Sequence, residues 1–238
     1  MSGSWRIISN MDEDSYRKYP DPTASKLVNA IAKYHGVDSD RVFVGVGSDD
    51  VLGMCFMTFF NSEKPILFPD ITYSFYPVWA EMLRIPYKVI PLKDDFRINA
   101  KDYLDADNGG IVIANPNAPT GILLDKKSII DILKSNSDSI VIIDEAYIDF
   151  SDVASSMADM IEDFNNLIVV RTFSKSRSLA GLRIGYALSN PEIIKYLSDV
   201  KYSYNSYTIN YPSIEIGSAV MEDDEYFRNT TGKVINTR

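Results

Sequence analysis

Seven short apolar runs, most of them rich in valine and isoleucine, punctuate this 238-residue chain. They are RVFVGV (41–46), PILFPD (65–70), PYKVIPL (86–92), GIVIANP (110–116), SIVIIDE (139–145), NLIVVRT (166–172) and LRIGYALS (182–189). A run that is apolar at successive positions, rather than at every second one, suits a strand covered on both faces. Helical patterns lie between many of the runs. TASKLVNAIAKYHG (23–36) opens on the cap-type residue Thr23 and stops at Gly36, Asp49 to Phe60 is apolar at helical spacing, LDKKSIIDILKS (124–135) has an aspartate start, and PEIIKYLSDVKYS (191–203) places proline in a first turn. Strands alternating with helices predict an α/β fold, a three-layer sandwich on a mostly parallel seven-stranded sheet. Three regions follow: a polar, proline-bearing arm over 1–22, a main domain over 23–208, and a long helix beginning near 209 and running to the end at 238. That helix implies a further domain beyond it.

Composition removes several function classes. The formal charge of -9 and pI near 4.7 oppose general nucleic-acid binding, which needs a basic face. With one cysteine, Cys55, the chain can form no internal disulfide and no cysteine cluster for zinc, and the apolar setting LGMCFMTFF reads as a core thiol. The lone histidine, His35, just before Gly36, reads as a solvated helix-end residue, which excludes histidine triads and histidine-rich metal sites. No apolar run reaches the ~20 residues of a membrane helix. The start, MSGSWRII, has no basic segment followed by an apolar one, so a cytoplasmic location is expected.

Ligands of open parallel sheets bind beyond the carboxyl ends of the strands, so the segments after each run carry the chemistry. Gly45-Val46-Gly47-Ser48-Asp49-Asp50 is a turn into a helix whose backbone N–H groups suit a phosphate. It has neither the third glycine of a dinucleotide fingerprint nor the lysine of a P-loop. Tyr73 is placed to stack on a flat ring, and the rigid turn Asn115-Pro116-Asn117-Ala118-Pro119-Thr120-Gly121 offers amides. Asp144, closing an apolar strand, needs a partner for its charge. The run resembles the acidic element of an ATPase, but no phosphate loop accompanies it. Last comes RTFSKSRSLAGLR, four cations without an acid between Arg171 and Arg183. Neighbouring cations favour the neutral, nucleophilic form of a lysine, which can attack an aldehyde. A phosphate cradle, a stacking tyrosine, an amide turn, a buried aspartate and an activated lysine, Lys175, together match one cofactor, pyridoxal 5′-phosphate.

The order GSDD, TY, NPNAPTG, DEAY and TFSKSRSLAGLRIGY resembles the fold-type-I pyridoxal-phosphate-dependent aminotransferases, and YPDPTASKL (19–27) with the spacing from Lys175 to Arg183 is most similar to their histidinol-phosphate aminotransferase branch. The resemblance implies that Lys175 binds the cofactor aldehyde and moves a proton at the substrate Cα, that Asp144 pairs with the ring nitrogen, and that Tyr147 bonds the ring hydroxyl. It implies that Tyr73 stacks on the ring. Ser48, Asp49, Thr172, Ser174 and Arg183 would hold the phosphate, and Tyr19 would reach the site of a second copy in a homodimer. Ala118 stands where the family has asparagine, so Asn117 or Asn115 is expected to substitute. The implied reaction is transamination between L-glutamate and imidazole-acetol phosphate, giving L-histidinol phosphate. A threonine-phosphate decarboxylase and an aromatic aminotransferase are built on similar scaffolds. The family's N-terminal segment and its small C-terminal domain, with the arginine that binds the substrate carboxylate, are missing from the 238 residues. A cofactor-binding fragment of little activity is therefore a further alternative.

Overall fold

The computed structural model describes residues 11–151 and 153–237. All seven runs form strands: β1 (Val42–Gly45), β2 (Ile66–Pro69), β3 (Tyr87–Ile90), β4 (Gly110–Ala114), β5 (Val141–Asp144), β6 (Leu167–Thr172) and β7 (Gly185–Leu188). They make the expected α/β fold with a seven-stranded, mostly parallel sheet. The helices among the described residues are α1 (Ser25–His35), α2 (Ser48–Phe59), α3 (Phe75–Leu83), α4 (Lys126–Ser135), α5 (Pro191–Tyr204), α6 (Tyr211–Glu222) and α7 (Asp224–Asn236). None of them is long and apolar enough to cross a membrane.

The chain divides into two compact units, one made of the residues up to Val51 with those from Arg171 onward, the other of Leu52–Val170. In the first unit β1 runs antiparallel to β7, in register from Val42 opposite Leu188 to Gly45 opposite Gly185. Helix α1 packs along α6. Its buried face is Leu27, Ile31 and Ala32, and Lys26 pairs with Glu215 at its edge. Gly217 of α6 permits the close approach, since a Cβ there would fall 2.7 Å from Ile184 and 3.0 Å from Leu27. The start of α1 departs from expectation. Thr23 does not cap it; the Asp21 carboxylate accepts from the backbone N–H groups of Thr23 (2.9 Å) and Ser25 (2.8 Å) and from both hydroxyls. These bonds, above all those of Ser25, hold the Asp21 carboxyl well below the usual carboxylate range. Gly36 ends the helix as expected, at φ 69°. The segment after Tyr211 forms two helices rather than one. Asp223 leaves the helical backbone (φ -93°, ψ 67°), and its carboxylate accepts from the Tyr226 N–H to start α7.

In the second unit the strand order is β6-β5-β4-β2-β3, every pairing parallel. β4 and β5 are buried at every position, while β3 exposes Tyr87, Lys88 and Val89 and ends the order as an edge strand with a charge on it. Helix α3 buries Tyr76, Trp79 and Ala80, with Tyr76 packing on Phe56 and Phe68 and Trp79 on Phe56, and exposes Phe75, Val78 and Met82. Cys55 lies fully buried, as read from the sequence, and burial pushes its thiol pKa up.

Candidate active site

In the first unit three segments converge on the start of α2. The turn 45–47 is closed by the Gly47 N–H donating to the Gly45 carbonyl (2.9 Å) and by the Asp50 carboxylate accepting from the Val46 N–H (2.8 Å). Gly47 takes φ 89°, and a Cβ on it would fall 2.5 Å from an Arg183 nitrogen, so the guanidinium lies directly over the turn. Gly185 is confined more tightly still: its Cβ would fall 2.3 Å from the Ser48 nitrogen. The third segment is the end of β6. The Thr172 hydroxyl donates to the Ile184 carbonyl (3.4 Å) and accepts from the Ser174 N–H (3.1 Å), and the Phe173 N–H donates to the same carbonyl (3.0 Å). The backbone thus gathers Ser48 and Asp49 at a helix N-terminus, the Thr172–Ser174 segment and Arg183 round one small space. Helix N-terminal N–H groups, hydroxyls and a guanidinium suit a phosphate dianion.

Arg183 lies 3.5 Å from the Asp49 carboxylate with both side chains about half exposed, so water screens the pair and an anion can compete for the guanidinium. Lys175 follows on the exposed side of the loop, with its carbonyl accepting from the Ser178 N–H (3.0 Å). The four cations do not act as one cluster. Arg177 is buried: its guanidinium lies 3.8 Å from the Phe227 ring centroid and 4.7 Å from that of Tyr34, and it donates to the Val220 carbonyl at the end of α6 (3.1 Å). Arg171 is buried in β6 and raises the positive potential at His35. Tyr19 is 81% exposed, its ring centroid 4.6 Å from that of Tyr207.

The second unit carries the residues expected to recognise a cofactor ring. Asp144, at the end of β5, is buried, as the sequence implied. The Tyr76 hydroxyl donates to Oδ2 (2.9 Å) and the Ala146 N–H to Oδ1 (3.1 Å). Tyr76 also meets the Tyr73 ring edge-on, centroids 5.6 Å apart, so Tyr73 and Asp144 flank one side chain. Tyr73 is half-buried at the margin of the aromatic group. The turn 115–121 is tied to the segment before Tyr73 by Asn117, whose Oδ1 accepts from the Thr72 hydroxyl (2.8 Å) and whose Nδ2 donates to the Ile71 carbonyl (2.9 Å) and Thr120 Oγ1 (3.2 Å). Both donors of the Asn117 amide are thus engaged. Asn115 is bonded twice to the Leu124 backbone. Tyr147, exposed, lies three residues beyond Asp144. Glu145, its neighbour, is a structural residue: it accepts from Ser156 (2.8 Å) and the Met157 N–H (2.6 Å).

The predicted residues therefore fall into two groups. The first unit holds Tyr19, Ser48, Asp49, Thr172, Ser174, Lys175 and Arg183; the second holds Tyr73, Asn117, Asp144 and Tyr147. Sequence reasoning missed Tyr76. Its signal was present in YSFYPVW, where tyrosine falls on the buried face of a helix and its hydroxyl needs an acceptor.

The family model for aminotransferase class I and II matches residues 6–237. The chain belongs to that family. Among aminotransferase relatives, the histidinol-phosphate aminotransferase of Lactococcus lactis subsp. cremoris (strain MG1363) is 50% identical over 233 residues, covering 98% of this chain and 65% of that protein. Among solved structures, histidinol-phosphate aminotransferase from Sinorhizobium meliloti, in complex with pyridoxal-5'-phosphate, superposes with a TM-score of 0.90 at 24% identity, over 99% of this chain and 65% of that one. The enzyme of the same name from Clostridium acetobutylicum gives 0.84 at 26%, over 94% and 68%. The aminotransferase chain described here thus spans a little under two thirds of the Lactococcus relative's length.

Proposed function

We propose that the protein carrying this chain is a pyridoxal-phosphate-dependent transaminase of histidine biosynthesis, exchanging an amino group between L-glutamate and imidazole-acetol phosphate to give L-histidinol phosphate. The observation that carries the reading is the convergence of 47–49, 172–174 and 183–185 beside Lys175, in a chain 50% identical to a histidinol-phosphate aminotransferase. The residues fit the cofactor. The two glycines leave a cradle that a Cβ would fill, and Asp144 is a buried carboxylate at a strand end.

Pyridoxal phosphate supplies an electrophilic aldehyde carbon and a ring that accepts electrons from the substrate Cα. The protein supplies the rest. The Ser48 and Asp49 N–H groups, the Thr172 and Ser174 hydroxyls and Arg183 bind the phosphate. Asp144 accepts a hydrogen bond from the protonated ring nitrogen and keeps that proton in place. Tyr73 covers the ring. Tyr147, with the remaining lone pair of Asn117 Oδ1, takes the ring hydroxyl. Lys175 would hold the cofactor at its aldehyde carbon and would move a proton between the substrate Cα and that carbon. Donor and acceptor use one site in turn, so ping-pong kinetics follow.

The reading includes a cytoplasmic homodimer. Tyr19, 81% exposed, would serve the second copy's phosphate, and the outward face of α3, Phe75, Val78 and Met82, is an apolar stripe suited to a subunit contact. Because the chain spans 65% of the relative, turnover is proposed for the whole protein and cofactor binding for this chain. A substrate panel tests the reading. Glutamate-dependent amination of imidazole-acetol phosphate, in preference to phenylpyruvate, supports it; carbon dioxide released from O-phospho-L-threonine would replace it with the decarboxylase.

A further inference from the structure

We infer, resting on the cofactor reading above, that Lys201 is a positioning residue for the phosphate turn. It holds the end of β1 and offsets the charge of Asp50, so that a turn bearing two aspartates can receive a dianion. Among the described residues Lys201 is the one buried lysine. It lies on α5 at helical spacing from Ile193, Ile194 and Leu197, in a core-facing stripe where an aliphatic side chain would ordinarily sit. A buried ammonium is costly unless the protein answers it. Here Nζ donates to the Val44 carbonyl of β1 (3.4 Å) and lies 5.6 Å from the centroids of the Phe43 and Tyr202 rings. Burial lowers the Lys201 pKa, while the charge of Asp50, and after it that of Asp21, pulls the other way and favours the ammonium.

Asp50 meets the same strand end. Its carboxylate accepts from the Val46 N–H (2.8 Å), and a Cβ on Gly45 would fall 2.7 Å from its Oδ2. Lys201 and Asp50 therefore bond to the backbone of residues 44 and 46, on either side of Gly45, and fix the chain just before Gly47 turns into α2. A phosphate at the N–H groups of Ser48 and Asp49 would stand beside two carboxylates, those of Asp49 and Asp50. Arg183, 3.5 Å from the Asp49 carboxylate, answers the first. Lys201 answers the second, and its burial spares it the screening that weakens the half-exposed Arg183 pair. It acts through the turn and not as a ligand of the phosphate.

The test compares equilibrium binding of three ligands, pyridoxal 5′-phosphate, inorganic phosphate and pyridoxal, which lacks the phosphate, to the wild-type chain and to Lys201→Met. The methionine keeps an unbranched apolar stem and removes the charge. Lys201→Met is expected to weaken pyridoxal 5′-phosphate and inorganic phosphate about tenfold and to leave pyridoxal unchanged. Adding Asp50→Asn, which still offers an acceptor to the Val46 N–H, is expected to restore phosphate affinity, because the turn then regains its original net charge. Unchanged phosphate affinity in folded Lys201→Met overturns the inference. Equal loss of all three ligands overturns it too, because that is a packing effect, and so does a double variant that recovers nothing. A wild-type chain that binds pyridoxal 5′-phosphate no more tightly than pyridoxal removes the cofactor reading itself and the inference with it. Should Lys201→Met not fold, Lys201→Gln, which keeps a donor for the Val44 carbonyl and lacks the charge, must show the same selective loss; no loss overturns the inference.

Discussion

A single side chain, His35, sets an acid limit on the first unit. It ends α1, yet it is not the solvated histidine its position beside Gly36 suggested. Its Nε2 lies 3.0 Å from the Tyr186 hydroxyl, and its ring is packed against Tyr34 and Tyr186. Burial first, then the Arg171 and Arg177 charges, lowers its pKa from 6.5 to about 3. The unfolded chain therefore binds a proton that the folded chain refuses between those values. Stability from this group is complete above pH 6.5 and is lost as pH falls toward 3, by about 1.4 kcal/mol per unit at the steepest. Denaturation midpoints measured from pH 7 to 4 should fall, and His35→Gln should flatten that slope. A second expectation at this scale concerns Gly185. Its Cβ would strike the Ser48 nitrogen, so Gly185→Ala should cost about 1–3 kcal/mol in urea denaturation and weaken phosphate binding. What was legible here was local. Gly36, Cys55, the aspartate start at Asp125 and the first-turn Pro191 are read from their neighbours in sequence. His35 was not, because its partner Tyr186 lies 151 residues away.

Among the elements, the strands were the most legible, because continuous burial leaves an unbroken apolar run whatever the topology. Helix α3 was not drawn from the sequence. It is apolar on both faces, Tyr76 and Trp79 within and Phe75, Val78 and Met82 without, so no helical period stands out. The segment after Tyr211 was read as one long helix, whereas the chain breaks at the capping residue Asp223, and Gly217 is a packing contact. Arg177 likewise looked like part of an anion site and instead joins elements. It stacks on Tyr34 of α1 and Phe227 of α7 and caps the Val220 carbonyl of α6. Arg177→Met keeps the stem and removes both interactions. It should cost about 2 kcal/mol and raise hydrogen exchange in the last turn of α6 and in α7. Unaltered exchange there would show that the guanidinium does not hold these helices.

At the scale of the molecule, the candidate residues divide between the two units, with those proposed for phosphate and amine chemistry in one and those proposed for ring chemistry in the other. The order of motifs pointed to that set because most of its members lie at or just past a strand end, where an α/β sheet presents its ligand residues. It did not reveal the bond from Tyr76 to Asp144, which comes from within a helix. A cofactor that binds only the folded chain must raise its stability. At a concentration a hundred times the dissociation constant the gain is about 2.7 kcal/mol, on the order of 5–10 °C in Tm for a chain of this size. Arg183→Ala should remove most of that gain, and inorganic phosphate should compete with it.

The most direct measurement of the central claim is the visible absorption of the chain with pyridoxal 5′-phosphate, followed by borohydride reduction and peptide mapping. Two lysines make it discriminating: Lys175, exposed beside the phosphate cradle, and Lys201, buried with its amine 3.4 Å from the Val44 carbonyl. The expected result is a yellow band that survives dialysis, a single modified peptide containing Lys175, and loss of both in Lys175→Ala. A band that persists in Lys175→Ala, or label on Lys201 or scattered over surface lysines, would contradict the account.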